Sequence, residues 1–553
     1  MPTAGKPERR SSIERPVLDS LRTLVARVSA LAGSKGSLSD ARFVIVAAFL
    51  LALWLAVVVI LATRHEFWRD EVRALSLVRA ASSPLDLIVL IRHEGHPVLW
   101  YVLLYMGHLL GDIPLALPVT SIVIAFAAIA IFVFCSPFSL WWKSLFMFGC
   151  LPLYEYAVMA RNYGISMLLL FVVAVLFRRR RKHALALAAV IALLANTNAH
   201  SLILACAIAL VWLWDTIVTQ KMRSLRACGR YLGPPLTIMT AGILLSLAVT
   251  MPGEGTILTH TSSLNANGLA EAGIGALLHP ERTFPSILPE KTPRALLPVA
   301  LPPLAGIFIV YLAVLGLLKR PELCCAALVA QIALGVFFRV VYSGSYRHQG
   351  LFLIFLVVLY WIALDSTEHE VVTKKVRRLF QAGLYGAMAV LILASLNLMP
   401  KTAWQDFRLQ MSASKAFGEF LNTSSASRDA IIVAEPDYLV ESLPYYAGNL
   451  IYIPREHRVG TTVSFTTDAV THFSLGELLA TARDLKAQYN RPILVVMGHR
   501  EVGRNRSGEL RFSYNKVFSW NADELATFRR STALVANFQT AVGDENYRVY
   551  AIR

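Results

Sequence analysis

Five short polar clusters interrupt a mostly apolar chain, and their residue types could do chemistry together. The first is Trp68-Arg69-Asp70-Glu71 with Arg73. Adjacent carboxylates suit the first turn of a helix, where the helix dipole favours negative charge. The same pair could supply a general base that takes a proton from an acceptor hydroxyl. Arg73, in the same stretch, is a candidate substrate contact. The second cluster is His93-Glu94-Gly95-His96-Pro97. Glu94 and His96, with the more distant His200, are candidates for substrate or for a divalent metal, although they lack the helical HExxH spacing of a specific metal site. The third runs from Glu155 through Arg161 and Asn162 to Tyr163. An arginine there either snorkels to headgroups or grips a lipid phosphate by paired hydrogen bonds. The fourth is Asn196-Thr197-Asn198-Ala199-His200 and the fifth Tyr346-Arg347-His348-Gln349. Each alone reads as an interfacial anchor. Five at one level of a helical bundle point to a shared cavity, because ionisable residues at membrane depth usually face one.

The elements that must position these clusters are membrane helices. Of 553 residues, 56% are hydrophobic and 16% charged, against about a quarter charged in soluble proteins. The mean hydropathy is +0.54. Together these exclude a water-soluble enzyme of ordinary build, and equally a disordered chain. Apolar blocks of membrane-span length lie at 43–63, 97–110, 115–135, 139–158, 161–177, 183–198, 201–218, 231–250, 296–317, 322–341, 348–364 and 380–397. No small-residue cleavage site accompanies the first, so it reads as an uncleaved span.

The net charge of +17 is sorted. From Met399 onward 18 Lys/Arg oppose 16 Asp/Glu, a net of +2, which leaves +15 in the membrane half. There it gathers in Arg178 to Lys182, in Lys221, Arg223, Arg226 and Arg230, in Lys319 and Arg320, and in Lys374, Lys375, Arg377 and Arg378. Basic runs at alternate ends of spans mark the inner face. The loops 64–96 and 251–295 and the C-terminal part then lie outside, at a bacterial-type inner membrane with the N-terminus cytoplasmic. Twelve full crossings would put both ends on one side. One segment between 97 and 177 is therefore expected to be half-length or paired with its neighbour, giving eleven or thirteen spans. Nucleic-acid binding would need a basic face on a soluble domain, and the balanced tail offers none.

Residues 1–42 are a basic tail in which Leu18, Leu21, Val25, Val28 and Leu31 recur at helical spacing, as in a surface helix or a disordered tail. Loop 64–96 reads as two short helices, 69–81 and 85–92, broken at Ser82-Ser83-Pro84. Loop 251–295, rich in Gly, Pro and Ser, reads as an irregular lid. Residues 398–553 read as a separate α/β domain, with strands at 431–434, 493–496, 532–538 and 546–552 and helices near 412–421, 437–447, 475–489 and 522–530. It has no Gly-rich phosphate loop. The six cysteines, Cys135, Cys150, Cys206, Cys228, Cys324 and Cys325, form no CxxC pair and read as small buried hydrophobes.

These motifs, in this order and topology, resemble the GT-C superfamily of polytopic membrane glycosyltransferases. They comprise WRDE at 68–71, the HPxLWYxLL run from His96, ARNYG at 160–164, AH at 199–200 and YRHQG at 346–350. The likeness covers roughly residues 43–365 and is closest to the protein mannosyltransferase and lipid A aminoarabinose transferase group (family 39/83-like). The tail EPDYLVESLPYYAGNLIYIPREHR is similar to the outer C-terminal domain of bacterial members. The resemblance implies a mainly α membrane protein, a GT-C-like bundle of about 11–13 helices with an extracytoplasmic α/β domain that caps the cavity and helps select the acceptor. It implies a sugar donor linked through phosphate to a polyprenyl lipid, attacked with inversion by a hydroxyl of a lipid, glycan or protein acceptor. Asp70 would be the base, with Glu71 the substitute. Arg161 and Arg347 would stabilise the leaving phosphate, and His96, Tyr163, His200 and His348 would line the site. The His-Glu-Gly-His stretch departs from relatives, so metal dependence does not carry over. Two other classes fit a polytopic chain: a transporter or flippase, and a non-catalytic component of envelope glycan assembly. Against the first, no internal repeat is evident and the polar clusters avoid the midplane.

Overall fold

Apolar runs in lipid must satisfy their backbone groups internally, which favours helices. In the computed structural model of the protein, the described residues are 41–111, 114–220, 225–253, 255–257, 266–285, 301–365, 373–498, 502, 506–512 and 516–553. The basic tail with its surface helix, Lys221, Arg223 and the loop stretches 258–265 and 286–300 lie outside them. In chain order the membrane half comprises α1 (Ala41–Arg64), α2 (Arg69–Ala80), α3 (Pro84–Leu90), α4 (Leu99–Leu109), α5 (Ala116–Cys135), α6 (Leu140–Met147), α7 (Tyr163–Phe177), α8 (Ala184–Ala195), α9 (Ala199–Gln220), α10 (Leu225–Thr250), α11 (Ala266–Leu278), α12 (Leu301–Leu315), α13 (Pro321–Val340), α14 (Tyr346–Asp365) and α15 (Lys374–Leu398). Among the described residues seven helices are long and apolar enough to cross a membrane, and four more are apolar but shorter. The chain is a multi-pass membrane protein. Helix α14 runs through the middle, buried along nearly its whole length.

The segment 139–158 is broken rather than one continuous helix. Helix α6 is only eight residues long, and a single π-type turn follows over Leu151–Glu155. Gly149 sits where a side chain would crowd the Phe146 carbonyl and Ser395 Oγ, each 3.0 Å from its Cβ position. Pro152 has no N–H to continue a ladder. Two apolar helices, α4 and α5, then lie between Asp70 and Arg161, and the two side chains meet at 3.1 Å. An odd number of crossings between them would forbid that contact.

The first loop folds as expected, with α2 and α3 joined through Ser83, whose hydroxyl accepts from the Asp86 N–H and caps α3. The second loop differs from expectation. It contains α11, which lies so close to α13 that a Cβ on Gly335 would come within 2.6 Å of the Ala276 methyl. Gly335 of α13 permits that approach, and in the loop Gly275 leaves room for the Arg339 side chain.

After α15 come α16 (Ala403–Arg408), α17 (Ser414–Leu421), α18 (Ser425–Arg428), α19 (Leu475–Tyr489) and α20 (Ala522–Ser531), interleaved among the described residues with nine strands. Strands β1 (Ile431–Glu435), β2 (Ile451–Ile453), β3 (Arg458–Val459), β5 (Ile493–Met497), β8 (Thr532–Phe538) and β9 (Tyr547–Ile552) form one sheet in the order β3-β2-β1-β5-β9-β8. β1 and β5 pair in parallel and are buried throughout, as near-continuous apolar strands covered on both faces are, and the one charge, Glu435 at the end of β1, is paired with Arg455. Strands β4 (His472–Ser474), β6 (Gly508–Arg511) and β7 (Val517–Trp520) make a small second sheet. Helix α19 begins where expected because Ser474 and Glu477 form a reciprocal cap. The helix expected over 437–447 is instead two 3-10 turns, Asp437–Val440 and Leu443–Tyr445, with Pro444 barring a continuous α-helix.

Candidate functional site at the domain-bearing end of the bundle

Helix geometry separates the two adjacent carboxylates, because consecutive residues diverge by about 100° around the axis. Glu71 turns inward and is fully buried. Its Oε1 accepts the Ala160 N–H at 2.7 Å, and its Oε2 lies 2.9 Å from His65 Nε2. Asp70 turns the other way, and 38% of its side chain is exposed. Its Oδ2 accepts from Arg161 Nη1 at 3.1 Å. The surroundings oppose its charge through partial desolvation, but Arg161, then Arg69, Arg347 and His96, outweigh this and hold its pKa below the ordinary carboxylate value. Asp70 is thus an accessible, ionised carboxylate, while Glu71 is committed to the fold.

The residues beyond Arg161 form a continuous wall. The Arg161 guanidinium lies 5.7 Å from the Tyr163 ring centroid, and Tyr163 meets His348 edge-on at 5.4 Å. His348 stacks on His200 at 4.7 Å, and Phe337 and Phe338 pack around His200. His348 Nδ1 accepts from the Ser345 N–H at 2.9 Å, which fixes its ring. Both nitrogens of buried His200 lack a hydrogen-bond partner among the described residues. His96 is kept neutral by burial and by Arg161. Arg347 faces Glu155 at 3.4 Å and Trp68 at 5.8 Å, and Tyr346 donates to Glu155 Oε1 at 2.6 Å. The structure therefore brings together Asp70, His96, Arg161, Tyr163, His200, Arg347 and His348.

Glycine explains how two of the motifs approach. A Cβ on Gly164, in ARNYG, would stand 2.5 Å from the Tyr156 carbonyl oxygen, and one on Gly350, in YRHQG, 2.6 Å from the Tyr156 hydroxyl. Tyr156 is clasped between them, and its hydroxyl donates to the Arg347 carbonyl at 2.7 Å.

Arg73 and Glu94 are placed differently from expectation. Arg73 donates from Nε and Nη2 to the two Glu94 oxygens at 2.7 and 2.6 Å. It also donates to Glu441 and to the Val463 carbonyl at 2.7 Å, and it covers Phe465. With four donors used and its surface buried, it fastens the first loop to the C-terminal domain and has little left for a substrate. Glu94 is spent on the same pair, so it does not join His96 and His200 as a ligand set. No group of three metal-ligating side chains occurs among the described residues. In the fourth cluster only His200 faces the wall. Asn198 donates to Ser166 at 2.8 Å and caps α9 at the Ser201 N–H, and Asn196 bridges to the Gly242 carbonyl at 2.8 Å.

Several site residues escape a reading of the sequence. His65 lies between Glu71 and Asp406, with its Nδ1 2.7 Å from Asp406 Oδ2, and Tyr154 donates to the same oxygen at 2.8 Å. Arg69 pairs with both oxygens of Asp544 at 2.8 and 3.0 Å, and its N–H donates to Glu545 at 2.7 Å. The second loop joins this seam. The Ile257 N–H donates to the Phe465 carbonyl at 2.9 Å, and Thr256 contacts His93 at 2.8 Å.

No family model matches the sequence, and neither does any curated protein. Two solved structures are similar to the chain: ArnT from Cupriavidus metallidurans in the apo state, and the same protein bound to undecaprenyl phosphate. Each is 13% identical over 91% of this chain and 97% of that one, with TM-scores of 0.42 and 0.41.

Proposed function

We propose that the chain is a membrane glycosyltransferase that moves a sugar from a polyprenyl-phosphate donor to an acceptor hydroxyl on the extracytoplasmic side of the membrane. The observation that carries this reading is an exposed carboxylate, Asp70, held ionised by Arg161 with Arg347 close by. An acid that must stay charged beside two arginines suits a reaction that begins with an anionic donor and removes one proton. The acceptor oxygen forms its bond to the anomeric carbon as the bond to the phosphate oxygen breaks. The bonding pair leaves with the phosphate, and the hydroxyl proton passes to Asp70. Arg161 and Arg347 stabilise the departing phosphate, and attack opposite the leaving group inverts the centre.

A carboxylate with a depressed pKa is a weak base until its cation is drawn away. A donor phosphate bound to Arg161 competes for the same guanidinium, so donor binding raises the basicity of Asp70 when it is needed. His96, Tyr163, His200 and His348 form the wall that would receive the sugar, aromatic faces against the ring and imidazole nitrogens for its hydroxyls. Glu71 and Arg73 hold the site together. The C-terminal domain, extracytoplasmic in this reading, caps the cavity and contributes to acceptor choice.

The test is transfer from radiolabelled polyprenyl-phosphate sugars in membranes carrying the chain or its Asp70→Asn variant. Loss of transfer in the variant is expected, together with loss of a sugar from envelope glycans when the gene is deleted. Full transfer by the variant would sink the reading.

A further inference from the structure

His65 and Asp406, which with Glu71 form one buried chain, have no role above, and all three are too deep to touch a substrate. The side chains of His65 and Glu71 are fully buried, and that of Asp406 is 2% exposed. Both imidazole nitrogens face carboxylate oxygens, at 2.9 and 2.7 Å. A neutral imidazole has one N–H, and would set a lone pair against one of the two carboxylates. Only an imidazolium donates in both directions, and charge-assisted bonds of this kind are about twice as strong as neutral ones.

What the chain grips is specific. Glu71 follows Asp70 directly, and its other oxygen holds the N–H of Ala160, the residue before Arg161. At the far end Asp406 also accepts from Tyr154, the residue before Glu155, which faces Arg347. One buried chain of bonds therefore ties down the segments that carry the base and Arg161, and the turn that carries Glu155, the partner of Arg347. From this geometry we infer that His65, backed by Asp406 and Tyr154, is a positioning residue of the transfer site that sets the distance between Asp70 and Arg161. The inference rests on the proposed function.

A second feature places Asp406 itself. Helix α16 turns Trp404 and Phe407, three residues apart and stacked, outward, with Arg408 over Trp404. Aromatic residues flanked by arginine are what an interfacial helix presents to lipid headgroups. Asp406 points to the opposite face, so the helix that beds in the interface also fixes the end of the imidazolium chain.

The experiment uses the purified full chain in lipid nanodiscs, with His65→Gln, Asp406→Asn and Tyr154→Phe, and Asp70→Asn as the control. For His65→Gln and Asp406→Asn, kcat should fall about ten- to a hundredfold, the cost of a small misplacement at a reacting group. The donor KM should stay within about twofold, since no substrate contact is removed. The acid limb of the kcat/KM profile should move to higher pH as Asp70 loses its fixed arginine. Tyr154→Phe removes a single hydrogen bond and keeps the test available if the other variants fail to fold; it should show the same limb shift with a smaller fall in kcat. Activity that drops only with the folded fraction, on an unchanged pH profile, would overturn the inference. If Asp70→Asn also transfers normally, the proposed function fails first; if only Asp70→Asn is inactive, the positioning role alone is lost.

Discussion

Asp70 and Glu71 are neighbours in sequence and opposites in environment. One is exposed beside Arg161; the other is buried against His65 and the Ala160 N–H. Their substitutions should separate accordingly. Asp70→Asn should lower kcat by about 10²–10⁴-fold, the usual contribution of a general base, with an unchanged melting temperature. Glu71→Gln should lower the melting temperature along with activity, because a buried acceptor of a charged donor is weakened. Measuring both quantities on both variants checks this, and a thermally silent Glu71→Gln would contradict it. The depressed pKa of Asp70 also fixes a sign. The carboxylate stays ionised below the ordinary range, so kcat/KM should remain flat from about pH 7 down to about pH 5, still above an unperturbed aspartate. Arg73 belongs to the same scale. Replacing it with Met leaves Glu94 and Glu441, whose side chains are 6% and 4% exposed, buried without a cation. Breaking such a pair costs about 3–5 kcal/mol, to be read as a large fall in thermal midpoint.

At the scale of elements the decisive piece is the broken segment between α6 and α7. Gly164→Ala should push the Tyr156 carbonyl away from α7, since the added carbon would stand 2.5 Å from it. The expected outcome is reduced stability and reduced transfer together, measured as melting temperature and initial rate. A variant indistinguishable from the parent would show that this close approach is dispensable. The same segment marks how far the sequence could be read. ARNYG and YRHQG stand out in it as polar motifs, and the parity of basic runs requires one short segment between 97 and 177. The sequence held a signal for which, since 139–158 carries Lys143 and Glu155 whereas 115–135 has no charged residue; Gly149 and Pro152 then break it, although neither is unusual in a membrane helix. Helix α19 and strands β8 and β9 were legible to within a residue because caps and β-branched runs act locally. The strands β2, β3, β4, β6 and β7 were not, since they are two to four residues long and exist by pairing with partners elsewhere.

For the whole molecule, the membrane half and the C-terminal domain meet at a charged seam. Arg69 and Arg73 come from the first loop; Asp544, Glu545 and Glu441 come from the domain. Burial pushes Glu441 and Glu545 up to about 7, against the pull of Arg73 on the first and of Ser412 and Arg69 on the second. A carboxyl with a raised folded pKa contributes stability that is fully present below its unfolded value, near 4.5, and lost as pH rises through about 7. The melting temperature of the purified chain should therefore fall between about pH 5 and pH 8. His65, raised to about 10 because Glu71 and Asp406 outweigh its burial, acts in the same direction from about pH 6.5 upward. A melting temperature that rises over that range would refute the assignment. These partnerships were the least legible part of the site, since nothing local in the sequence pairs Arg73 with residue 441 or His65 with residue 406.

The seam also fixes an order of events during synthesis. The first loop emerges early, carrying cations whose partners in the C-terminal part come 341 residues later for His65, 368 for Arg73 and 475 for Arg69. At about 5–20 residues per second, the wait for Asp544 lasts roughly 24–95 s. Until then Glu71 can hold the Ala160 N–H, but the first loop lacks its clamps to the C-terminal domain, so a ribosome-bound chain presents no finished site to a passing donor lipid.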